Sequence, residues 1–192
     1  MDAKPSYPII YDHSGPSSSK SSCHRSTSDG CFATLSKHLC TLQAIPQSSE
    51  QATAIDILLI QSQGIIPSMR SIFKCHHCMR DPQALFLVNM VLARLLKWSN
   101  FSICAYGKRF ISAEVRLGKY QISGDFGTTV ARMLVQTHLA DIKAAILEFE
   151  SMVGHSQDKA DGAYLSQQAK TLESELNMLA EKIQKISNSG IV

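Results

Sequence analysis

The chain has 192 residues, of which 44% are hydrophobic and 18% are charged, and 19 basic against 16 acidic residues give a net charge of +3. This composition excludes a largely disordered chain, a collagen-like chain and a protein that is only a coiled coil. The longest apolar runs, such as residues 84–88, are far shorter than the roughly 20 residues of a membrane-spanning helix, so no integral membrane protein is expected. So small a positive charge does not by itself indicate nucleic-acid binding.

Residues 1–29 are predicted to form a disordered tail that is rich in serine and proline. After Tyr11 this segment contains few large apolar residues, so it has little to bury in a core. The start of the chain also lacks the apolar region of a secretory signal. The six cysteines are therefore expected to be reduced thiols, because nothing in the sequence directs the chain to an oxidising compartment.

The first two helices are predicted from apolar residues at three- and four-residue spacing. The first ends before Pro46, and its apolar face is formed by Phe32, Leu35, Leu39 and Leu42. The second begins near Ile55 and is expected to end at Gly64 and Pro67, because glycine and proline interrupt helices.

A third helix is predicted to begin at Asp81-Pro82, since proline is favoured at the first helical position. Apolar residues between positions 85 and 104 are dense on more than one side, so this should be the most buried helix. Residues 115–122 alternate weakly around Gly118 and are predicted to be extended.

Two long helices are predicted in the last third of the chain. The first has an apolar stripe that ends at Gly154 and is formed by Val130, Met133, Leu134, Ile142, Ile146, Phe149 and Val153. The second has a seam of heptad-like spacing that is formed by Leu165, Leu172, Leu176, Leu179, Ile183 and Ile186. An antiparallel hairpin of these two helices is favoured, and pairing of the seam with another chain is the alternative. The prediction is an all-α domain over residues 30–188, followed by a flexible C-terminus at 189–192.

Cys75 and Cys78 are the sharpest local feature, because two thiolates at this spacing can bind one zinc ion. A closed zinc site needs four ligands, and no second pair of cysteines or histidines at ligand spacing occurs. Cys40 or Cys104 would have to complete the site from distant helices. No metal or other cofactor is therefore predicted, and Cys75 and Cys78 remain only weak candidate ligands. The favoured interpretation is a connection between helices that holds two ordinary thiols.

The sequence contains no pattern typical of a catalytic site. G-x-S-x-G, P-loop and G-x-G-x-x-G motifs are absent, and His38 and His138 lie in helical patterns where a structural or surface histidine is the ordinary outcome. We therefore predict that the protein is not an enzyme. The cysteines also do not fit a fungal binuclear zinc cluster, which needs six of them within about thirty residues. Specific DNA binding by this chain alone is not expected.

The order of several segments carries a family resemblance. A helix at 31–42 is followed by KCHHC at 74–78 and by an apolar helix at 84–98 that ends in LLKW. The segment VRLGKY at 115–120 then precedes the two long helices. Together these segments resemble the C-terminal regulatory domain of the aflatoxin regulatory protein family, which are fungal activators of clustered secondary-metabolite genes.

The resemblance implies a nuclear regulator or co-regulator of such a gene cluster that works through protein–protein contacts of its helical domain. Its partner would be the transcription machinery or a DNA-binding protein, or a second copy in a homodimer. The expected partner-binding residues are Leu165, Leu172, Leu176, Leu179 and Ile183. The alternatives are a non-regulatory adaptor or structural protein of a biosynthetic cluster, and a truncated relic of an activator.

Overall fold

The computed structural model describes residues 28–43, 55–106, 115–117, 119–122, 124–154 and 159–188. These residues form α1 (Ser28–Gln43), α2 (Ile55–Phe73), α3 (Pro82–Tyr106), α4 (Gly124–Val153) and α5 (Lys159–Asn188), with a 3₁₀ turn at Cys78–Arg80. The predicted all-α class is confirmed. The predicted C-terminus at 189–192 and the predicted tail, except its last two residues in α1, lie outside the described residues. No helix within the described ranges is both long enough and apolar enough to cross a membrane.

Helix α3 lies at the centre of the fold, as its dense apolar composition predicts. It packs against α1, α2, α4 and α5. Leu92, Leu95 and Ile103 have no exposed surface, and they belong to one core cluster that draws side chains from all five helices. Because a single core includes every helix, the removal of one helix face would expose the apolar surface of its neighbours.

Helix α2 is longer than the sequence predicts. It continues through both Gly64 and Pro67 and ends at Phe73, so the expected end at these residues is wrong. Pro67 cannot donate a backbone hydrogen bond to the preceding turn. The side chains of Ile65, Ile66 and Met69 are nevertheless buried on both sides of it. Their packing outweighs the local preference, which is why the helix is not interrupted.

The start of α3 agrees with the prediction from Asp81-Pro82. The backbone N–H of Gln83 donates to Oδ1 of Asp81 at 3.0 Å, and the N–H of Leu85 donates to the Asp81 carbonyl at 3.1 Å. Asp81 is therefore the N-cap, and Pro82 occupies the first helical position, where its missing N–H costs nothing.

Asp81→Ala is expected to reduce the free energy of unfolding by about 1 kcal/mol, because a first-turn N–H loses its acceptor. Thermal unfolding followed by circular dichroism should show a fall of roughly 2–4 °C in Tm. Asp81→Asn is the matched control and should retain most of the stability, since asparagine caps equally well. An equal loss in both variants would contradict the capping role.

Helices α4 and α5 form an antiparallel pair, as predicted. The two helices have 30 residues each, are separated by only five residues in sequence and pack on each other, which requires them to run in opposite directions. A groove of about 210 Å³ between them is lined by residues 136–143 of α4 and 176–184 of α5. On α4, Met133 and Leu134 are exposed rather than part of the buried stripe, and Val135 and Leu139 are buried there instead. Val135 and Leu139 are buried because they lie on the side of α4 that packs against α2, α3 and α5.

A short hairpin precedes α4. β1 (Val115–Leu117) pairs with β2 (Tyr120–Ile122) in antiparallel register, so that Leu117 faces Tyr120. The predicted extended conformation is confirmed for Val115–Leu117 and Tyr120–Ile122. Helix α4 then begins at Gly124, whose φ of 70° is a left-handed conformation that other residues rarely adopt.

Candidate functional site

Three thiol groups meet at one end of the helical core. The Sγ atoms of Cys31, Cys75 and Cys78 all lie within 4.8 Å of one another, and no other group of three or more such ligand-type side chains is this close within the described ranges. Cys75 and Cys78 are buried, and Cys31 is partly exposed. We call this group the cysteine trio.

Three different parts of the chain position the cysteine trio. Cys31 lies in the first turn of α1. Cys75 follows the end of α2, where its N–H donates to the carbonyl of Ile72 at 2.9 Å. Cys78 begins the 3₁₀ turn, and its carbonyl accepts the N–H of Asp81 at 3.4 Å. The C-x-x-C spacing thus corresponds to the tight connection between α2 and α3, and the packing of α1 on α3 adds the third thiol.

The surroundings of the cysteine trio favour neutral thiols when no cation is present. Burial raises the pKa of the Cys78 thiol far above its usual range, and hydrogen bonds with Cys75 and Cys31 raise it further. A protonated thiol is a poor nucleophile, because the thiolate is the reactive form. This arrangement is therefore unlike an activated catalytic cysteine. The chemistry open to the three thiols is to bind a cation, which displaces their protons.

The cysteine trio differs from the predicted ligand set. The sequence makes Cys75 and Cys78 weak candidate ligands and needs Cys40 or Cys104 to complete the set. The structure instead places Cys31 beside them and leaves Cys40 and Cys104 exposed and outside the group. Cys31 is four residues before the buried Leu35 on the same face of α1, a spacing that could have indicated its position.

A second polar feature joins α3 to α4 inside the core. Ser99 Oγ donates to the carbonyl of Leu95 at 2.8 Å and lies 2.9 Å from Nε2 of His138. Because the single hydroxyl proton goes to Leu95, Nε2–H of His138 donates to Ser99. Burial lowers the pKa of His138 to about 4, although Asp141 opposes the shift. The pair is therefore a neutral structural bridge rather than a serine activated by a histidine base.

The apolar seam of α5, which we call the α5 seam, lies inside the fold. Leu165, Leu172, Leu176, Leu179 and Ile183 are all buried, and α5 packs on α4 and α3. The side chain of Ile186 is outside the described part of the chain. Since the five buried side chains contact the chain's own helices, the surface that the folded chain offers to a partner is formed by other residues.

Helix α4 has an exposed apolar stripe that could serve as such a surface. Phe126, Met133, Ala140 and Leu147 recur at intervals of seven, and all four are exposed. Phe126 and Met133 are 65% and 61% exposed. Residues seven apart lie on nearly the same side of a helix, so these four side chains form one line along the exposed side of α4. We call these four residues the α4 stripe.

Comparison with known proteins gives one family match. The family model described as aflatoxin regulatory protein matches residues 12–111, just over half of the chain. This range contains α1, α2, α3 and the cysteine trio, and it ends before the 115–120 segment and the two long helices. No curated protein and no solved structure matches the chain significantly.

Proposed function

The chain belongs to the aflatoxin regulatory protein family, and we propose that it is a regulator or co-regulator of transcription of a fungal secondary-metabolite gene cluster. The observation that supports the proposal is the family match over residues 12–111. The family is one of regulatory proteins rather than enzymes, so the proposed role is non-catalytic. The proposed place of action is the nucleus.

The proposed mechanism is protein–protein contact through the helical domain. The partner is the transcription machinery or a DNA-binding protein that recognises the promoter. Exposure of the α4 stripe supports this mechanism, because the α5 seam is occupied by the core. Large exposed apolar side chains such as Phe126 and Met133 gain free energy when a partner covers them, at roughly 25 cal/mol per Å² of buried apolar surface.

Deletion of the gene is expected to abolish transcripts of one co-localised set of biosynthetic genes, and the intact gene should restore them. Phe126→Asp with Met133→Asp should fail to restore them, because two carboxylates on the α4 stripe oppose apolar contact. Transcript profiling of the deletion and complemented strains measures the effect. A tagged wild-type copy should lie in the nucleus.

Thr129→Asp with Gln136→Asp is the matched control. It introduces the same charges at the same spacing of seven on exposed positions of α4 that are not in the stripe. This variant should restore the transcripts. Unchanged transcripts in the deletion strain, with a cytoplasmic tagged copy, would contradict the regulatory role and favour an adaptor. Equal behaviour of the two double variants would contradict the role of the α4 stripe.

A further inference from the structure

We propose that Cys31, Cys75 and Cys78 bind one zinc ion through their three thiolates. Zinc–sulfur bonds of about 2.3 Å in a tetrahedral site place the sulfur atoms about 3.8 Å apart. The three Sγ atoms already lie within 4.8 Å of one another. The sulfur atoms therefore need to approach one another by no more than about 1 Å to form the site.

The ligand chemistry selects a soft or borderline cation. Thiolate ligands favour zinc and univalent copper over magnesium, calcium and manganese, which prefer oxygen. No carboxylate belongs to the group. Lys74 and Arg80 flank the two cysteines of the C-x-x-C segment in sequence and are exposed. Their positive charges offset part of the net negative charge that three thiolates and one Zn²⁺ carry.

Two ordinary interpretations of three close cysteines fit the structure less well. A disulfide requires a sulfur–sulfur distance of about 2.05 Å and joins only two of the three residues. Simple core packing explains why an individual cysteine is buried, because a thiol behaves as a small apolar side chain. It gives no reason for three sulfur atoms from α1, the end of α2 and the 3₁₀ turn to converge. Cys31 is partly exposed, which gives the ion access from solvent.

The fourth coordination position belongs to solvent or to an imidazole from His76 or His77. Both histidines are exposed and lie between the two cysteines of the C-x-x-C segment. The metal ion would fasten the first turn of α1 to the connection between α2 and α3. It would thus link segments that are 44 residues apart in sequence.

The experiment measures metal in the full 192-residue chain, purified with a thiol reductant and without a polyhistidine tag. Elemental analysis is expected to find about one zinc per chain. Removal of zinc by a chelator should lower Tm by on the order of 10 °C, because a ligand that binds only the folded state stabilises it. Substitution by Co²⁺ should produce intense thiolate-to-cobalt charge-transfer absorption.

Cys31→Ser, Cys75→Ser and Cys78→Ser should each lose the zinc and the cobalt absorption. Cys40→Ser is the matched control, because Cys40 lies on the same helix as Cys31 but is exposed and outside the trio. It should retain one zinc. Circular dichroism identifies any variant that fails to fold. If a variant does not fold, thiolate binding is judged from the charge-transfer absorption of the cobalt-substituted wild-type chain instead.

His76→Ala with His77→Ala should retain zinc, because the three thiolates remain and solvent can take the fourth position. Complete loss of zinc in this variant would contradict the three-thiolate set. Three further results would overturn the proposal: wild-type protein that neither contains nor takes up zinc, equal zinc content in Cys31→Ser and Cys40→Ser, or a disulfide within the trio in metal-free protein under the same reducing conditions.

Discussion

Leu172→Asp combined with Leu179→Asp is expected to unfold the protein. Both leucines are buried in the α5 seam. Truncation of a buried leucine to alanine costs about 2–5 kcal/mol, and a buried carboxylate adds the cost of removing a polar group from water. Two such changes together approach or exceed the 5–15 kcal/mol that stabilises a typical domain. Circular dichroism and urea titration should show loss of helix without a cooperative transition.

The matched control for the seam lies one residue earlier at each site. Thr171→Asp with Met178→Asp introduces the same two charges at the same spacing of seven on the exposed side of α5, where Met178 is 54% exposed. These changes should cost only about 1 kcal/mol, mostly because aspartate is a poor helix former. A folded Leu172→Asp/Leu179→Asp variant would mean that α5 does not contribute to the core in solution.

The result also decides how loss of partner binding in the seam variant should be interpreted. An unfolded protein loses all its contacts, so a seam variant that no longer binds a partner says nothing about which surface binds. The α4 stripe provides the informative comparison, because its side chains can change while the core stays intact. Stability and recognition are therefore tested on different faces of the same helical pair.

The sequence predicts those elements whose signals are local. Pro82 after a capping aspartate marks the start of α3, and strong apolar periodicity with a short connection predicts the antiparallel pair of α4 and α5. These features depend on residues close together in the chain. The end of α2 could not be predicted in the same way. Whether Pro67 ends the helix depends on how firmly Met69 and Ile72 are buried against other helices.

The cysteine trio shows the same limit for the candidate site. Cys75 and Cys78 are visible as a motif, whereas Cys31 is 44 residues away and joins them only because α1 packs on α3. The predicted face of α1 also includes Phe32, which is 42% exposed. Leu35 of that face is buried as predicted, and Cys31, four residues before it, packs against the core in place of Phe32. A local pattern could place Cys31 in the core, but only the tertiary packing identifies its neighbours.

The stability of the fold is expected to fall by about 3 kcal/mol between pH 7.5 and pH 4 because of His138 alone. Burial lowers its pKa to about 4 in the folded chain, whereas an exposed histidine has a pKa near 6.5. Below pH 6.5 the unfolded chain therefore binds a proton that the folded chain binds only near pH 4. Stability is fully present above about pH 6.5 and decreases as the pH falls toward 4.

His138→Gln removes this titration and is expected to reduce the pH dependence by the same amount. The variant should be less stable than the wild type at pH 7.5, because glutamine reproduces the bridge to Ser99 imperfectly. The difference in free energy of unfolding between the two proteins should shrink as the pH decreases, because only the wild type has a buried histidine that resists protonation in the folded state. Urea titrations at half-unit pH steps measure both curves. Parallel curves for wild type and His138→Gln would show that His138 has the same pKa in the folded and unfolded chains, and Asp141, whose negative charge opposes the effect of burial, would then be the residue to substitute next.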